Sequence, residues 1–397
     1  MRVPLLDLSE QYRALAEPIR AEIDEILSNQ RFILGPKVEN FERAICEYSG
    51  APHAIGVSSG TDALLAILMA MGIGSGDAVI TVSYTFFATA GCIARVGAAP
   101  IFVDIDPATY NMAPVALAAY LRLHCQRDPE GRLVNDQGAI IRAIMPVHLF
   151  GMCCEMDAIL QIAREHNLPV IEDAAQAIGA EYPHADGTSA QAGTMGETGY
   201  FSFYPSKNLG AAGDAGLVVC REEKLAHRIR LCRQHGMEER YFHHFVGGNF
   251  RLDEIQAAIL QVKLPFLNAW SAGRRAVADN YRKEFTRLGL TSILELPKEA
   301  YRESGLANHH IYHQYVVRTP QRDALREHLT RHEIGNAVYY PLGLHQQDCF
   351  AYLGYSAGDL PETERASRET LALPIFPELP PAAQTFVAET IAEFFRK

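Results

Sequence analysis

The sequence contains no CxxC pair and no other cysteine spacing that is typical of a metal site. Its eight cysteines include the adjacent residues Cys153 and Cys154, which suit neither a zinc clip nor a simple disulfide bridge. Free cysteines in a reducing compartment are therefore expected, and we predict no metal ion. The formal net charge of -11 argues against nucleic acid as a partner, because a duplex would repel such a surface.

Long apolar runs are also scarce. The longest, residues 63–73, is too short to span a bilayer and is typical of a buried helix. The first residues, Met1 to Asp7, do not form the apolar core of a secretory signal. Repeats and low-complexity tracts are lacking, while hydrophobic residues make up 48% of the chain, enough for a folded core. We therefore expect a cytoplasmic globular protein with no membrane segment.

Between about residues 55 and 220, short apolar runs alternate with helical patterns. This alternation predicts an α/β fold with a mostly parallel central sheet flanked by helices. Ligands of such sheets bind beyond the carboxyl ends of the strands, so the residues that follow each strand are the candidates for chemistry. Strands are predicted at residues 78–82, 101–103, 143–147, 169–171, 200–203 and 216–220, with helices such as 61–71 and 156–166 between them.

The pattern changes after Leu264. A helix, a strand, a second helix and an extended segment are predicted at residues 265–288, 311–317, 321–332 and 336–340. We expect a large unit of residues 1–264 and a smaller C-terminal α+β domain of residues 265–397. Within the large unit, the polar stretches 124–138 and 183–197 are expected to be surface loops.

A segment of small residues, 56–60, leads into an apolar helix that opens with Thr61 and Asp62. Free backbone amides at a helix N-terminus bind anions, and the helix dipole adds to this effect. Gly60 allows a phosphate to approach, and Thr61 offers a hydroxyl. The segment is therefore either a phosphate cradle or an ordinary helix start that Thr61 caps.

Two acids, Glu172 and Asp173, stand at the carboxyl end of a predicted buried strand and are followed by small residues. A carboxylate in this position can hold a cationic ring nitrogen or a metal ion. The alternative is an aspartate that caps the next helix.

Lys207 follows an aromatic strand, which Pro205 ends. A lysine in an apolar setting loses solvation, which lowers its pKa and makes its amine nucleophilic. The alternative is a surface lysine in a turn. The small residues from Gly210 to Gly216 would let a cofactor approach closely.

A phosphate cradle, a strand-end acid and a buried lysine are together the protein parts that a pyridoxal-phosphate (PLP) enzyme needs. In such enzymes the lysine forms a Schiff base with the cofactor, the acid keeps the pyridine nitrogen protonated, and the cradle holds the 5′-phosphate. The three motifs therefore predict PLP as the cofactor.

The sequence resembles the DegT-type nucleotide-sugar aminotransferases, which have PLP fold type I. The resemblance extends over nearly the whole chain, from Phe32 to Pro377. Its most specific matches are residues 59–63, 171–176, 201–210 and 248–258.

The resemblance implies a role for each cofactor residue that matches the family. Lys207 would carry the Schiff base, and Asp173 would pair with the pyridine nitrogen. Gln176 would donate a hydrogen bond to the phenolic oxygen of the ring. Phe86 would stack on the cofactor ring, although it is alternatively a core phenylalanine.

The phosphate would be held by Gly60, Thr61 and the neighbouring amides, together with Ser202. Asn249 would reach the phosphate of the neighbouring subunit, which implies a homodimer with shared active sites. The alternative for Asn249 is a turn asparagine. Nearby, Ala215 stands where the family usually has glycine, and its methyl group requires a negative φ.

Five further residues are candidates for the substrate side of the site. His148 ends a predicted strand and could lie near the cofactor, or it could be a buried histidine satisfied by the backbone. Tyr312 and Gln314 could line the mouth of the site, together with Tyr340 and His345, which lie in a segment similar to the family's substrate side.

The reaction implied by the resemblance is transfer of an amino group, from L-glutamate, to a keto group of a nucleotide-linked sugar. Residues 32–36 and 251–258 look more like those of members that aminate C3 than of those that aminate C4. Alternatives are C4 amination, aminotransfer to a cyclitol ketone, and a PLP-fold regulator without catalysis. Dehydration of a sugar is disfavoured, because related dehydratases replace the lysine with histidine.

Overall fold

Two adjoining sheets form the centre of the computed structural model, which describes residues 1–396. Its strands are β1 (His53–Val57), β2 (Asp77–Val82), β3 (Ala99–Val103), β4 (Cys125–Arg127), β5 (Leu133–Asn135), β6 (Ile140–Ile144), β7 (Ile171–Asp173), β8 (Glu181–Pro183), β9 (Ser189–Gln191), β10 (Thr198–Ser202), β11 (Gly216–Cys220), β12 (Met237–Glu239), β13 (Phe242–His243), β14 (Tyr315–Arg318) and β15 (Thr370–Leu373).

The α-helices flank these strands and make up much of the rest of the described chain. They are α1 (Ser9–Asn29), α2 (Pro36–Ser49), α3 (Gly60–Ala70), α4 (Ala88–Arg95), α5 (Pro114–His124), α6 (Met156–His166), α7 (Glu223–Cys232), α8 (Glu254–Lys263), α9 (Leu267–Arg287), α10 (Arg322–Arg331), α11 (Pro361–Glu369) and α12 (Pro381–Arg396). Within residues 1–396, none has the length and apolar character needed to cross a membrane.

The central strands form one continuous layer. One sheet has the order β1-β11-β10-β7, and the other has the order β3-β2-β6-β5-β4. Parallel bridges between Ile144 and Val170 and between Val147 and Asp173 join β6 to β7. Strands β2, β3 and β6 are parallel to one another, as are β7 and β10, whereas β11 is antiparallel to its two neighbours. The predicted α/β fold with a mostly parallel sheet is confirmed.

Both faces of this layer are buried, as expected for a sheet that helices cover on each side. In β11, Leu217 and Val219 belong to one apolar core, while Val218 and Cys220 belong to another on the opposite face. The sequences of these strands are therefore continuous apolar runs, and this is why the strands could be predicted from the sequence. With both faces covered, the carboxyl edge is the open side of the sheet, where loops can form a site.

A separate apolar core lies in the C-terminal part of the chain. It contains Tyr281 and Phe285 of α9, whose rings stack with centroids 5.6 Å apart, and residues of α10, α12, β14 and β15. Val3 also packs in this core and pairs with Ile334, so the N-terminus contacts the C-terminal part.

The structure corrects two predictions of surface loops. The stretch 124–138 contains the hairpin β4–β5, and the stretch 183–197 contains most of the hairpin β8–β9. In the second, Glu172 accepts hydrogen bonds from the N–H groups of Gly193, Met195 and Gly196, so part of the polar stretch is pinned to the sheet. The polar composition of the stretch 183–197 was misleading, because the buried carboxylate of Glu172 binds its backbone.

Candidate active site

The carboxyl edge of the sheet opens into a cavity of about 740 Å³. Its walls come from the segments that follow β1, β2, β7 and β10, and from two segments of the C-terminal part around residues 313 and 340. The residues that the sequence predicted and that line this cavity are Gly60, Thr61, Phe86, Asp173, Gln176, Ser202, Lys207 and Tyr340.

The phosphate cradle predicted from the sequence is the N-terminus of α3. Ser59 caps this helix by accepting a hydrogen bond from the Asp62 N–H at 3.0 Å, so Thr61 is not the cap, and Thr61 lines the cavity. A Cβ atom at Gly60 would lie 2.9 Å from the Cβ of Ser202. Only glycine fits there, and its bare amide leaves room for an anion at the helix start.

Asp173 is buried at the end of β7 with only 4% of its surface exposed. Its Oδ2 accepts a hydrogen bond from the Thr89 hydroxyl at 2.7 Å, and its Oδ1 accepts one from the Ala175 N–H at 3.2 Å. Thr89 in turn lies 3.1 Å from the hydroxyl of Thr85. The carboxylate is therefore held in one orientation at the floor of the cavity, which makes it a fixed partner for a cationic ring nitrogen.

Lys207 lies in the turn after β10, and burial lowers the pKa of its amine to about 8, although the negative charge of Asp173 acts in the opposite direction. An amine with this pKa has a much larger deprotonated fraction near neutral pH than an ordinary lysine, and that fraction can act as a nucleophile or base. The surface-lysine alternative is therefore wrong.

Gln176 is fixed between two neighbours. Its Oε1 accepts from the Phe150 N–H at 2.8 Å, and its Nε2 donates to the Tyr340 hydroxyl at 3.1 Å. The second hydrogen on Nε2 remains to donate into the cavity. Phe86 is 58% exposed, with its ring 6.4 Å from that of Tyr340, and it is therefore not a core phenylalanine.

His148 does not line the cavity, contrary to its prediction as a substrate-side residue. The Nδ1 atom accepts a hydrogen bond from the Cys154 N–H at 3.0 Å, and the Nε2–H donates to Glu172 at 2.8 Å. Both ring nitrogens are thus used inside the fold. His148 is buried, as its alternative predicted, but only one of its two partners is a backbone group and the other is the Glu172 carboxylate.

Tyr312 and His345 are also outside the cavity lining. The positive φ of 45° at Tyr312 turns its side chain into the C-terminal core, where it stacks on His310 with centroids 3.9 Å apart. His345 is buried, and its Nδ1 lies 2.7 Å from the Ser83 hydroxyl. Gln314, which was predicted beside Tyr312, does line the cavity, as do the chain neighbours His313, Leu344 and Gln347.

His313 and Thr89 are cavity residues that sequence reasoning missed. His313 Nδ1 bonds to Asn208 Oδ1 at 3.1 Å, next to Lys207 in the chain, and burial together with the Lys207 charge lowers the pKa of His313 well below its usual value. Thr89 stands three residues after Phe86, in the first turn of α4, and that spacing from a predicted cofactor residue is the signal that could have found it.

Asn249 is exposed and does not line this cavity. Its contribution to a neighbouring subunit stays a prediction. At Ala215 the backbone does not have a positive φ, so the methyl group that departs from the family pattern is accommodated as expected.

A buried lysine, a strand-end acid and a helix start with bare amides, at the carboxyl edge of this sheet, define a PLP-dependent enzyme of fold type I. The chain matches the sequence model of the DegT/DnrJ/EryC1/StrS aminotransferase family over residues 13–392 and belongs to that family. It is a PLP-dependent aminotransferase.

Individual relatives are similar over their whole length. The chain is 46% identical over 396 residues to a pleiotropic regulatory protein of Geobacillus stearothermophilus, covering 100% of this chain and 99% of that protein. It is 38% identical over 377 residues to UDP-N-acetyl-3-dehydro-α-D-glucosamine 3-aminotransferase of Acidithiobacillus ferrooxidans, covering 95% and 94%. The crystal structure of S. venezuelae DesV in complex with a ketimine intermediate has a TM-score of 0.89 and 35% identity, covering 100% and 99%.

Proposed function

We propose that the chain transfers an amino group from L-glutamate to the C3 keto group of a nucleotide-linked sugar. The observation that carries the proposal is the shared cavity of Lys207, Asp173 and the Gly60 cradle. It is supported by the 3-aminotransferase name of the Acidithiobacillus relative, which acts on a 3-dehydro sugar nucleotide.

The residues present fit PLP, which when bound supplies an electron sink that loosens a proton on the carbon bearing the amino group. The Gly60 amide, Thr61 and Ser202 would hold its phosphate, and Phe86 would cover one face of its ring. Asp173 would keep a proton on the ring nitrogen. Lys207 Nζ would then move a proton between carbon atoms as a general base and acid, for which a pKa near 8 is well suited.

The two substrates must use the same cavity, and both are anionic. Lys207 is the only lysine or arginine that lines the cavity among residues 1–396, and it is the reacting amine. Glutamate brings two carboxylates and a nucleotide-linked sugar brings phosphates, so further cationic or amide groups are needed to hold them.

We infer that a second copy of the chain provides these groups in a homodimer with shared sites. The segment that leads to Asn249 is suited to such a contact, because Tyr241, Phe242 and Val246 expose 74%, 66% and 87% of their surface beside the cation Arg240. Large exposed apolar side chains in one short segment are typical of an interaction site.

The regulatory name of the Geobacillus relative raises the alternative of a regulator that keeps the PLP fold. A regulator without catalysis would not need a buried lysine beside a fixed acid. Because Lys207 and Asp173 are both present in the cavity with the environment that catalysis requires, we favour the enzyme.

The proposal is tested by incubating the purified enzyme with ¹⁵N-labelled glutamate and matched 3-keto and 4-keto sugar nucleotides. NMR then shows which ring proton couples to the label, and mass spectrometry identifies the product. We expect label at C3, and the Lys207→Ala variant is the matched control that should give no product. Preference for a 4-keto sugar or a cyclitol ketone would replace the C3 proposal while leaving the aminotransferase in place.

A further inference from the structure

A second group of potential ligands lies in the C-terminal part of the chain, and none of its members lines the active cavity. His328 lies in α10, His332 follows that helix directly, and Glu393 lies in α12. Each residue places one ligand atom within 4.8 Å of the other two. His328 is buried, His332 is half-buried and Glu393 is exposed, so the group is anchored on one side and open to solvent on the other.

The spacing brings these side chains to one place. Residues four apart in a helix share a face, and two histidines at this spacing can bind one metal ion. Thr390 and Glu393 are three apart in α12 and likewise share a face. The contact between His328 and Thr390 shows that this face of α12 packs against α10.

The hydrogen bonds of the two rings orient them for metal binding. His328 Nε2 lies 3.1 Å from the Thr390 carbonyl oxygen, and His332 Nδ1 lies 2.8 Å from the His328 carbonyl oxygen. A carbonyl oxygen only accepts, so these two nitrogens carry hydrogen. In the neutral rings the lone pairs therefore lie on Nδ1 of His328 and Nε2 of His332.

This is the usual arrangement of metal-binding histidines, in which one ring nitrogen donates to a carbonyl and the other binds the ion. We propose that His328, His332 and Glu393 form a binding site for a divalent transition-metal ion of the zinc type. Two imidazole nitrogens and one carboxylate oxygen suit such an ion, with water completing the coordination, whereas Mg²⁺ prefers oxygen ligands. The bound ion would join α12 to α10.

No metal site was predicted from the sequence, because the cysteines lack metal spacing and the strand-end acid Asp173 was assigned to the cofactor. Cysteine spacing gives no information about a site made of histidine and glutamate side chains on two helices. Only the packing of α10 on α12 brings Glu393, more than sixty residues further along, to the histidine pair.

The test uses the untagged holoenzyme after treatment with EDTA. ZnCl₂ is titrated by calorimetry, the bound zinc is counted by mass spectrometry, and Tm is measured with and without ZnCl₂. We expect one zinc ion per chain and a higher Tm, because an ion that binds only the folded state stabilises it. MgCl₂ at the same concentration should produce neither effect.

Three variants remove one ligand each and are chosen to retain the existing backbone contacts. His332→Asn retains the donor to the His328 carbonyl and loses the Nε2 ligand. His328→Gln retains the donor to the Thr390 carbonyl and loses the Nδ1 ligand, and Glu393→Gln changes only an exposed side chain. Each should weaken zinc binding at least about tenfold and abolish the zinc-dependent rise in Tm.

The matched control is His124→Asn, because His124 is an exposed histidine that pairs with a different acid, Asp136, at 2.8 Å. It should bind zinc like the unmodified chain. Absence of stoichiometric zinc binding would overturn the proposal. So would zinc binding that survives in both His332→Asn and Glu393→Gln, because the zinc would then lie elsewhere.

Discussion

The two walls of the active cavity differ in how their polar groups are satisfied. On the cofactor side, Asp173 is bonded to Thr89 and Ala175, and Gln176 is held by Phe150 and the Tyr340 hydroxyl. On the substrate side, the Oε1 atom of Gln314 is buried with no hydrogen-bond partner in residues 1–396. The polar groups of the cofactor wall are therefore held in one geometry. The substrate wall keeps a hydrogen-bond acceptor, the Gln314 oxygen, that can bond to a ligand.

This difference suits an enzyme that keeps one cofactor and exchanges two substrates. The cofactor must be held in the same place through both halves of the reaction, so its contacts gain from being pre-oriented. The substrates differ in shape and arrive in turn, so the opposite wall must bond to each of them. Variants of the cofactor wall should therefore disturb the bound cofactor, and variants of the substrate wall should disturb substrate binding.

The largest effect is expected for Lys207→Ala. The variant loses the amine that we propose attaches the cofactor and moves the proton, so turnover should fall on the order of 10⁴-fold or more. Borohydride treatment of the unmodified enzyme, followed by peptide mapping, should find the cofactor fixed on Lys207. A reduced adduct on another lysine would show that the cofactor wall has been misassigned.

Asp173→Asn should have the next largest effect. The substitution keeps the shape and the contact with Thr89 but removes the charge that holds a proton on the ring nitrogen. We expect turnover to fall on the order of 10²–10³-fold while cofactor affinity falls less. Steady-state kinetics and cofactor titration measure the two quantities, and turnover near that of the unmodified enzyme would mean that another group holds the ring proton.

Subunit exchange between Lys207→Ala and Asn249→Asp chains tests whether the cofactor wall is shared. In a mixed dimer of the proposed kind, one site has both defects and the other has neither. Random exchange should therefore restore about a quarter of the unmodified activity, since half of the dimers contain one intact site. If exchange is confirmed by mass spectrometry and no activity returns, Asn249 does not serve the partner's site.

The sequence predicted the cofactor wall better than the substrate wall, for a physical reason. Asp173 and Lys207 stand at or just after the ends of predicted strands, and Gly60 stands at a predicted helix start. Local sequence patterns therefore place all three residues at the carboxyl edge of the sheet. The substrate wall depends on side-chain direction in irregular segments. A single positive φ at Tyr312 turns that residue away from the cavity, and no periodicity in the sequence predicts it.

Long-range packing explains the remaining errors. His148 looked like a cavity residue because it follows a strand, but Glu172, which lies in the neighbouring strand, binds its ring from behind the sheet. His345 bonds to Ser83, which is 262 residues away in the chain. Contacts of this kind have no signal in a single sequence, whereas the hydrophobic pattern of β11 gave that strand its full bounds.

A matched pair of variants compares the walls directly. Thr89→Val removes the hydroxyl that holds Asp173, and Gln314→Leu removes the amide whose Oε1 atom has no partner on the other side. We expect Thr89→Val to alter the absorption spectrum of the bound cofactor and to lower turnover about tenfold. Gln314→Leu should raise KM about tenfold for one or both substrates and leave that spectrum unchanged. Equal changes in the absorption spectrum of the cofactor in both variants would contradict the proposed division into a cofactor wall and a substrate wall.

The smallest effect is a shift in the pKa of Lys207 in the enzyme freed of cofactor. Burial lowers this pKa to about 8, and the Asp173 charge raises it from what burial alone would give. The amine is therefore protonated below that pH and reactive above it. Competitive labelling with acetic anhydride across a pH series should give a midpoint near 8 for Lys207, below the ordinary value of about 10.4 for lysine. In Asp173→Asn the stabilising negative charge is gone, so the midpoint should move lower still. A midpoint that rises in this variant would show that Asp173 does not act on the lysine through its charge, and the two halves of the cofactor wall would then be electrostatically independent.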